Sequence, residues 1–189
     1  MVLKLVIILL CTTLYTFIRY VIFENVSPIH IPVFLLNKSI SMAAVFFLFL
    51  TALQYVRNDI EKTKFWGTAS LHCAYLHILL SLAILSSTYY PKFFGVEKMN
   101  LIGEISIFFG VLAVYCFWTI RGASSFIQRQ TFQILSSLFI VGHLVAMGFS
   151  GWLTIEKWHG GLPPISLISV VFALISFVLF FWNTSKRPT

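Results

Sequence analysis

Six apolar runs, at about residues 3–23, 39–56, 66–87, 101–120, 130–153 and 163–183, take up most of this 189-residue chain, and each is close to the length of a membrane-crossing helix. A hydrocarbon core about 30 Å thick takes roughly 20 residues per helical span, so a chain of this size has room for six crossings and little else. In lipid a lone segment satisfies its own backbone only as a helix, so the runs predict helices rather than strands. The expected fold is all-α, a six-helix transmembrane bundle forming a single domain. Composition agrees: 59% of the residues are hydrophobic and 10% charged, a surface that water would not solvate. The opening MVLKLVIILLCTTLYTF reads as a first span and not as a cleaved leader, because no small-residue cleavage site follows and Arg19-Tyr20 suits an interfacial end.

The formal charge of +7 would suggest a nucleic-acid partner in a soluble protein, but here the cations sit at the ends of the runs and read as topology signals. Lys4, Arg57, Lys62, Lys64, Arg121, Arg129, Lys186 and Arg187 fall on one side. Arg19, Lys38, Lys92, Lys98 and Lys157 fall on the other. The excess predicts an integral, multi-pass protein with both termini in the cytoplasm and membrane lipid as its first partner. Asn37-Lys38-Ser39 reads as the polar lead-in to the second span, Tyr90-Pro91 as the end of the third, and Pro163-Pro164 as the start of the sixth. Asn25-Val26-Ser27 and Asn37-Lys38-Ser39 also match the N-glycosylation pattern on the outer side. Cys11, Cys73 and Cys116 lie inside apolar runs without metal-ligand spacing and read as small hydrophobes.

A polar group deep in a span is costly, which makes it a candidate for function. His77 and His143 stand out, 13 residues past Lys64 and 14 past Arg129 in two spans that run the same way. At 1.5 Å per residue both imidazoles rise roughly 20 Å above the inner boundary, level to within a turn, where they can grip one iron from opposite sides. Ala74 and Ser81 flank His77, and Ala146 flanks His143, leaving room at the ligand face. The bland alternative is that each ring only braces a neighbouring helix. His72 is about 140° around the helix from His77 and reads as packing. Arg19 and Glu104 fall near the outer ends of their spans, where Arg19 can hold a haem propionate, snorkel, or pair with Glu104. His159, in the loop Glu156-Lys157-Trp158-His159, is a weaker candidate for a metal substrate.

Around these histidines the chain resembles the ferric reductase transmembrane superfamily, and most closely the six-helix haem domain of the STEAP metalloreductases. WGTASLHCAYLHILLSL (66–82) is similar to that family's third helix, with a haem ligand at the place of His77. SFIQRQTFQILSSLFIVGHLVAMGFSGWL (125–153) is similar to its fifth, with a ligand at His143 and a tryptophan at Trp152, and GLPPISL (161–167) to the start of its sixth. The likeness covers roughly residues 37 to 183. It implies one haem b per chain between the third and fifth helices, fed by FAD or another flavin from solution or a partner, with a metal ion or other acceptor reduced on the opposite face. Gln128 and Arg129 are the residues it implies for flavin contact, although the spacing from Gln128 to His143 is one residue longer than the family pattern. Relatives with two haems carry a second histidine pair; Lys64 or Tyr90, and Gln130, stand in those places here, which implies a single haem.

The expected role is therefore electron carriage across the bilayer, with Lys64, Arg121 and Arg129 either attracting a flavin's phosphates or acting as ordinary inner-face anchors. A flavin-containing reductase is the expected protein partner, and a second copy of the chain is left open. Two competitors stand beside it. One is a non-redox transporter or structural subunit whose histidines bind a metal or brace helices, and the other is a haem subunit that passes electrons to a dedicated partner enzyme.

Overall fold

A computed structural model of the chain describes residues 1–189 apart from 25, 97, 124 and 186–189. It is all-helical. The long elements are α1 (Val2–Phe17, continued by a wider π-helical stretch Ile18–Phe23), α2 (Ile31–Val56), α3 (Ile60–Ala83), α4 (Leu101–Gly122), α5 (Phe126–Trp152) and α6 (Ile165–Ser185). Among the described residues the extended pairing is confined to one antiparallel bridge between Phe94 and Met99. Asn25, Lys186 and Arg187, used above for a glycosylation match and for topology, lie outside the described residues.

Among the described residues, five helical stretches are long and apolar enough to cross a membrane: Val2–Phe23, Ile31–Val56, Leu101–Gly122, Ile127–Trp152 and His159–Asn183. The exception is α3. It is long enough but carries Glu61, Lys62, Lys64, His72 and His77, so the least apolar helix is also one of the two that bear the candidate ligands.

Several limits differ from the sequence reading. α2 begins at Ile31, eight residues before the expected start, because Pro32 supplies a preset first turn. Asn37-Lys38-Ser39 therefore lies inside α2 rather than ahead of it, and Asn37 has 0% exposure, which removes it as a glycosylation acceptor. α3 starts at Ile60, not near Trp66. Asp59 caps it, with Oδ1 accepting from the Lys62 backbone N–H at 3.1 Å and Oδ2 from Lys62 Nζ at 2.6 Å. A charged first turn looks like loop by hydropathy and like a helix start by capping. Ser125 starts α5 in the same way, with Oγ accepting from the Gln128 N–H at 3.1 Å, so Gln128, Arg129 and Gln130 are already helical.

Packing follows the order α3, α2, α6, α5, α4, a ring that closes only weakly between α3 and α4, with α1 outside against α2. Small residues at the crossings (Ala43, Ala44, Ala52, Ser70, Ala173) let backbones approach, and Ser70 Oγ donates to the Ala44 carbonyl at 2.8 Å. Where α5 meets α6, Trp152 Nε1 donates to Ser166 Oγ at 2.9 Å across Gly148. A Cβ at Gly148 would fall 2.4 Å from that Oγ, so this crossing needs glycine.

The three long connections gather on one face of the ring. Tyr15 and Arg19 at the end of α1 donate to the carbonyls of Pro163 and Leu162, Lys92 donates to the Met147 carbonyl, and Asn37 Nδ2 donates to Tyr90 Oη at 2.7 Å. The tight α2–α3 and α4–α5 turns lie on the other face. The cysteines are free thiols: Cys11 exposed, Cys73 half-buried and Cys116 buried.

Candidate functional site

His77 sits six residues before the end of α3, and His143 nine before the end of α5, both toward the face of the long connections. His77 Nδ1 lies 2.6 Å from Asn37 Oδ1 on α2, and Ser81 Oγ, one turn along α3, donates to the same oxygen at 3.2 Å. At the other end of the same amide Asn37 Nδ2 donates to Tyr90 Oη, and with Oδ1 turned toward the imidazole the proton of the His77 ring belongs on Nδ1.

His143 is fixed by backbone. Its Nδ1 lies 2.7 Å from the Ser106 carbonyl of α4, an acceptor only, which again places the proton on Nδ1. Gly110, one turn along α4, makes room: a Cβ there would lie 3.3 Å from the same Nδ1. In both rings Nε2 keeps its lone pair, and among the described residues neither Nε2 makes a hydrogen bond. Tying one imidazole nitrogen to an oxygen acceptor is how metal-ligating histidines are oriented and made more basic.

The two rings lie within electrostatic range of each other, and Lys38 within range of both. They belong to helices on opposite sides of the weak α3–α4 junction, α3 being held by α2, and α5 by α4 and α6. Among the described residues no group of three or more His, Cys, Asp or Glu is placed to hold a metal ion. Two imidazoles alone make a poor site for a bare ion, which takes four or more ligands; they suit an iron whose remaining positions a planar macrocycle fills. The donor set, the fixed tautomers and the loosely closed junction fit a haem.

Below the histidines, toward the tight turns, the ring encloses a cavity of about 440 Å³. Lys64, Arg121 and Arg129 all line it, together with Thr51, Leu71 and Gln133. Gln133 Oε1 is buried there without a hydrogen-bond partner, a polar atom left for something the cavity would hold.

The other expected residues are placed as follows. Gln128 is exposed in the first turn of α5 and does not line the cavity; Gln133, five residues on, does. Arg19 is 4% exposed and committed elsewhere, its guanidinium donating to the Leu162 carbonyl and lying 5.6 Å from the Tyr20 ring. It is not brought to the histidines, because α1 packs outside the ring. His72 is exposed in a shallow groove beside Leu5 of α1. Glu104 is exposed at the start of α4 and forms no ion pair among the described residues. His159 Nε2 lies 3.4 Å from Glu24 Oε2 in the connection to α6.

Sequence reasoning missed Asn37, Ser106 and Gln133. Asn37 carried a usable signal, since Pro32 ahead of a long apolar stretch marks an earlier helix start and puts the asparagine within the span. Ser106 acts through its carbonyl, which every residue possesses, so nothing in its identity marks it. No protein-family model matches the chain, and no curated protein is detectably similar to it.

Proposed function

We propose that the chain is a six-span membrane protein that holds one haem b between His77 and His143 and carries electrons from a flavin on the cytoplasmic face to a metal ion or another acceptor on the opposite face. The observation that carries this reading is the matched pair of imidazoles, each with Nδ1 bound to an oxygen acceptor (2.6 Å to Asn37, 2.7 Å to Ser106) and each with Nε2 free. A haem held by His77 and His143 would supply one-electron transfer and would disfavour oxygen binding. The likeness of 66–82 and 125–153 to the ferric reductase superfamily supports the same assignment.

The chain's own residues have definite tasks in this scheme. Asn37 and the Ser106 carbonyl hold the rings in the tautomer that offers Nε2, and both acceptors would raise the electron-donating power of the nitrogens that would hold the iron. Leu48, Ala52, Leu71, Phe117 and Phe180 form an apolar cluster in the middle of the ring, and all of them except Ala52 also line the cavity on its cytoplasmic side. The cavity beneath, with Lys64, Arg121, Arg129 and the free Gln133 oxygen, suits a flavin's phosphates and ring edge. Both termini then lie in the cytoplasm, since the turns bearing Arg57, Lys62, Lys64, Arg121 and Arg129 make the more cationic face. The flavin comes from solution or from a reductase partner.

Absorption spectra of the purified protein before and after reduction test the reading. The expected result is a Soret band that shifts on reduction in the wild type and is lost in His77→Ala and in His143→Ala; an unchanged spectrum in either variant removes that residue from the ligand set. A second reading draws on the same hydrogen bonds. Asn37–His77 ties α2 to α3 and Ser106–His143 ties α4 to α5, so the histidines can serve as helix braces in a colourless protein. A wild type without a Soret band, destabilised by either alanine substitution, would establish that alternative.

A further inference from the structure

The cavity at the tight-turn end of the ring has two chemically distinct halves. Lys64, Arg121 and Arg129, all exposed, stand at its mouth, near the starts of α3 and α5 and the end of α4. Leu48, Leu71, Phe117 and Phe180, all buried, make its floor. Seven residues of α3 separate Lys64 from Leu71 and seven of α5 separate Arg129 from Ser136, so the cavity runs about 10 Å deep along the helices. Among the described residues no Asp or Glu lines it. Arg129 gives one donor to the Ala123 carbonyl at 3.4 Å, which leaves the rest of its guanidinium for a ligand. Between the halves stands Gln133, 7% exposed, whose Oε1 has no hydrogen-bond partner among the described residues.

Each half restricts the occupant. Cations gathered at one level of a cavity without acids suit a single dianionic group, and a phosphomonoester carries a charge of about −1.5 to −2 at neutral pH. The buried Gln133 oxygen calls for an N–H or O–H donor, so a lipid acyl chain would strand it. The apolar floor calls for a flat, largely apolar body. Size restricts the occupant further: about 440 Å³ lies near the lower end of the roughly 300–1,000 Å³ found for small-molecule sites. It holds an isoalloxazine ring with a short phosphorylated arm, whereas a second phosphate and an adenosine would extend past the cations and out of the cavity.

We infer that the flavin of this site is the mononucleotide FMN, with its one phosphate on Arg121, Arg129 and Lys64 and its ring on the apolar floor, where Gln133 accepts from a ring N–H. The inference rests on the flavin-donor reading above and names the ligand within it.

Equilibrium dialysis of the full chain, purified in non-ionic detergent and freed of flavin, against riboflavin, FMN and FAD tests this. FMN is expected to bind at least tenfold more tightly than riboflavin, the scale of one or two charge-assisted hydrogen bonds, and FAD no more tightly than FMN. Arg121→Gln and Arg129→Gln should each bring FMN toward the affinity of riboflavin while leaving riboflavin unchanged, which also shows the fold intact. Lys64→Gln should do less, since Lys64 also borders the shallow groove beside Leu5. Gln133→Leu should weaken riboflavin and FMN by the same factor. Equal binding of riboflavin and FMN by the wild type overturns the inference and leaves a flavin donor in place, with the three cations acting as membrane anchors. Tighter binding of FAD than of FMN overturns the mononucleotide assignment. A preference for FMN that survives in the Arg121→Gln, Arg129→Gln double variant puts the phosphate elsewhere and overturns it as well. Displacement of FMN by equimolar AMP overturns it by giving the cavity to nucleotides at large. A wild type that binds none of the three removes the flavin donor and this inference together, while the Soret band judges the haem independently.

Discussion

His77 and His143 present the same free Nε2 by different means. The His77 ring is held by a side chain: Asn37 arrives from α2, is itself oriented by Tyr90 in the α3–α4 connection, and shares its oxygen with Ser81. The His143 ring is held by the Ser106 carbonyl, with Gly110 leaving the space in which it lies. A setting built from side chains can be tuned by single substitutions. One built from backbone tolerates changes of side-chain identity and fails when the backbone is crowded. The difference teaches where each half of the site is vulnerable.

Crowding should do the most damage. Gly110→Leu drives several carbons into the position of the His143 ring, an overpacking worth about 1–3 kcal/mol, and is expected to abolish the Soret band much as His143→Ala does. Gly110→Ala, with its Cβ at 3.3 Å, should retain pigment at reduced occupancy. Asn37→Leu comes next. It strands the His77 Nδ1 proton and Tyr90 Oη, costing about 1 kcal/mol on the scale of interhelical hydrogen bonds, and pigment should persist. Without an acceptor on Nδ1 the imidazole donates less charge, so potentiometric titration should find a higher midpoint potential.

Smaller effects sharpen the comparison further. Asp59 caps α3 well away from either ring, and the hydrogen bonds and charge of Lys62 hold its carboxyl below the usual carboxylate range. Its contribution is therefore present at neutral pH and above, and is lost as the pH falls through that lowered value. Asp59→Ala should lower the melting temperature slightly near neutral pH, converge with wild type in acid, and leave the spectrum untouched. Ser106→Ala should change least of all. The carbonyl that holds His143 survives the substitution, so spectrum and potential should match wild type, whereas a shift as large as that of Asn37→Leu would show that the hydroxyl, 3.3 Å from Nδ1, matters as much as the backbone.

Much of the architecture was legible in hydropathy. Lengths of apolar sequence separated by charge locate six helices because burial in lipid demands uninterrupted apolar turns. What hydropathy misplaced were polar residues that are helical for local reasons: Glu61, Lys62 and Lys64 behind the Asp59 cap, and Asn37-Lys38-Ser39 behind Pro32. The candidate site divides similarly. His77 and His143 were conspicuous as ionisable groups within apolar runs. Their partners depend on which helices become neighbours and how each is rotated, and no spacing along one helix encodes that. Arg19 was a reasonable choice from its nearness to a span end, but it belongs to α1, outside the ring of the other five helices. Gln128 and Gln133 differ by five positions, enough to move the side chain from the exposed face of α5 to the cavity.

The most direct test counts the imidazoles on the iron. Pulsed electron paramagnetic resonance of the oxidised protein, prepared with nitrogen-15 histidine, should show a low-spin centre coupled to two histidine nitrogens, falling to one when either His77 or His143 is replaced by alanine and haem is retained. Coupling to one histidine in the wild type, or to two in either variant, would contradict a haem shared between α3 and α5.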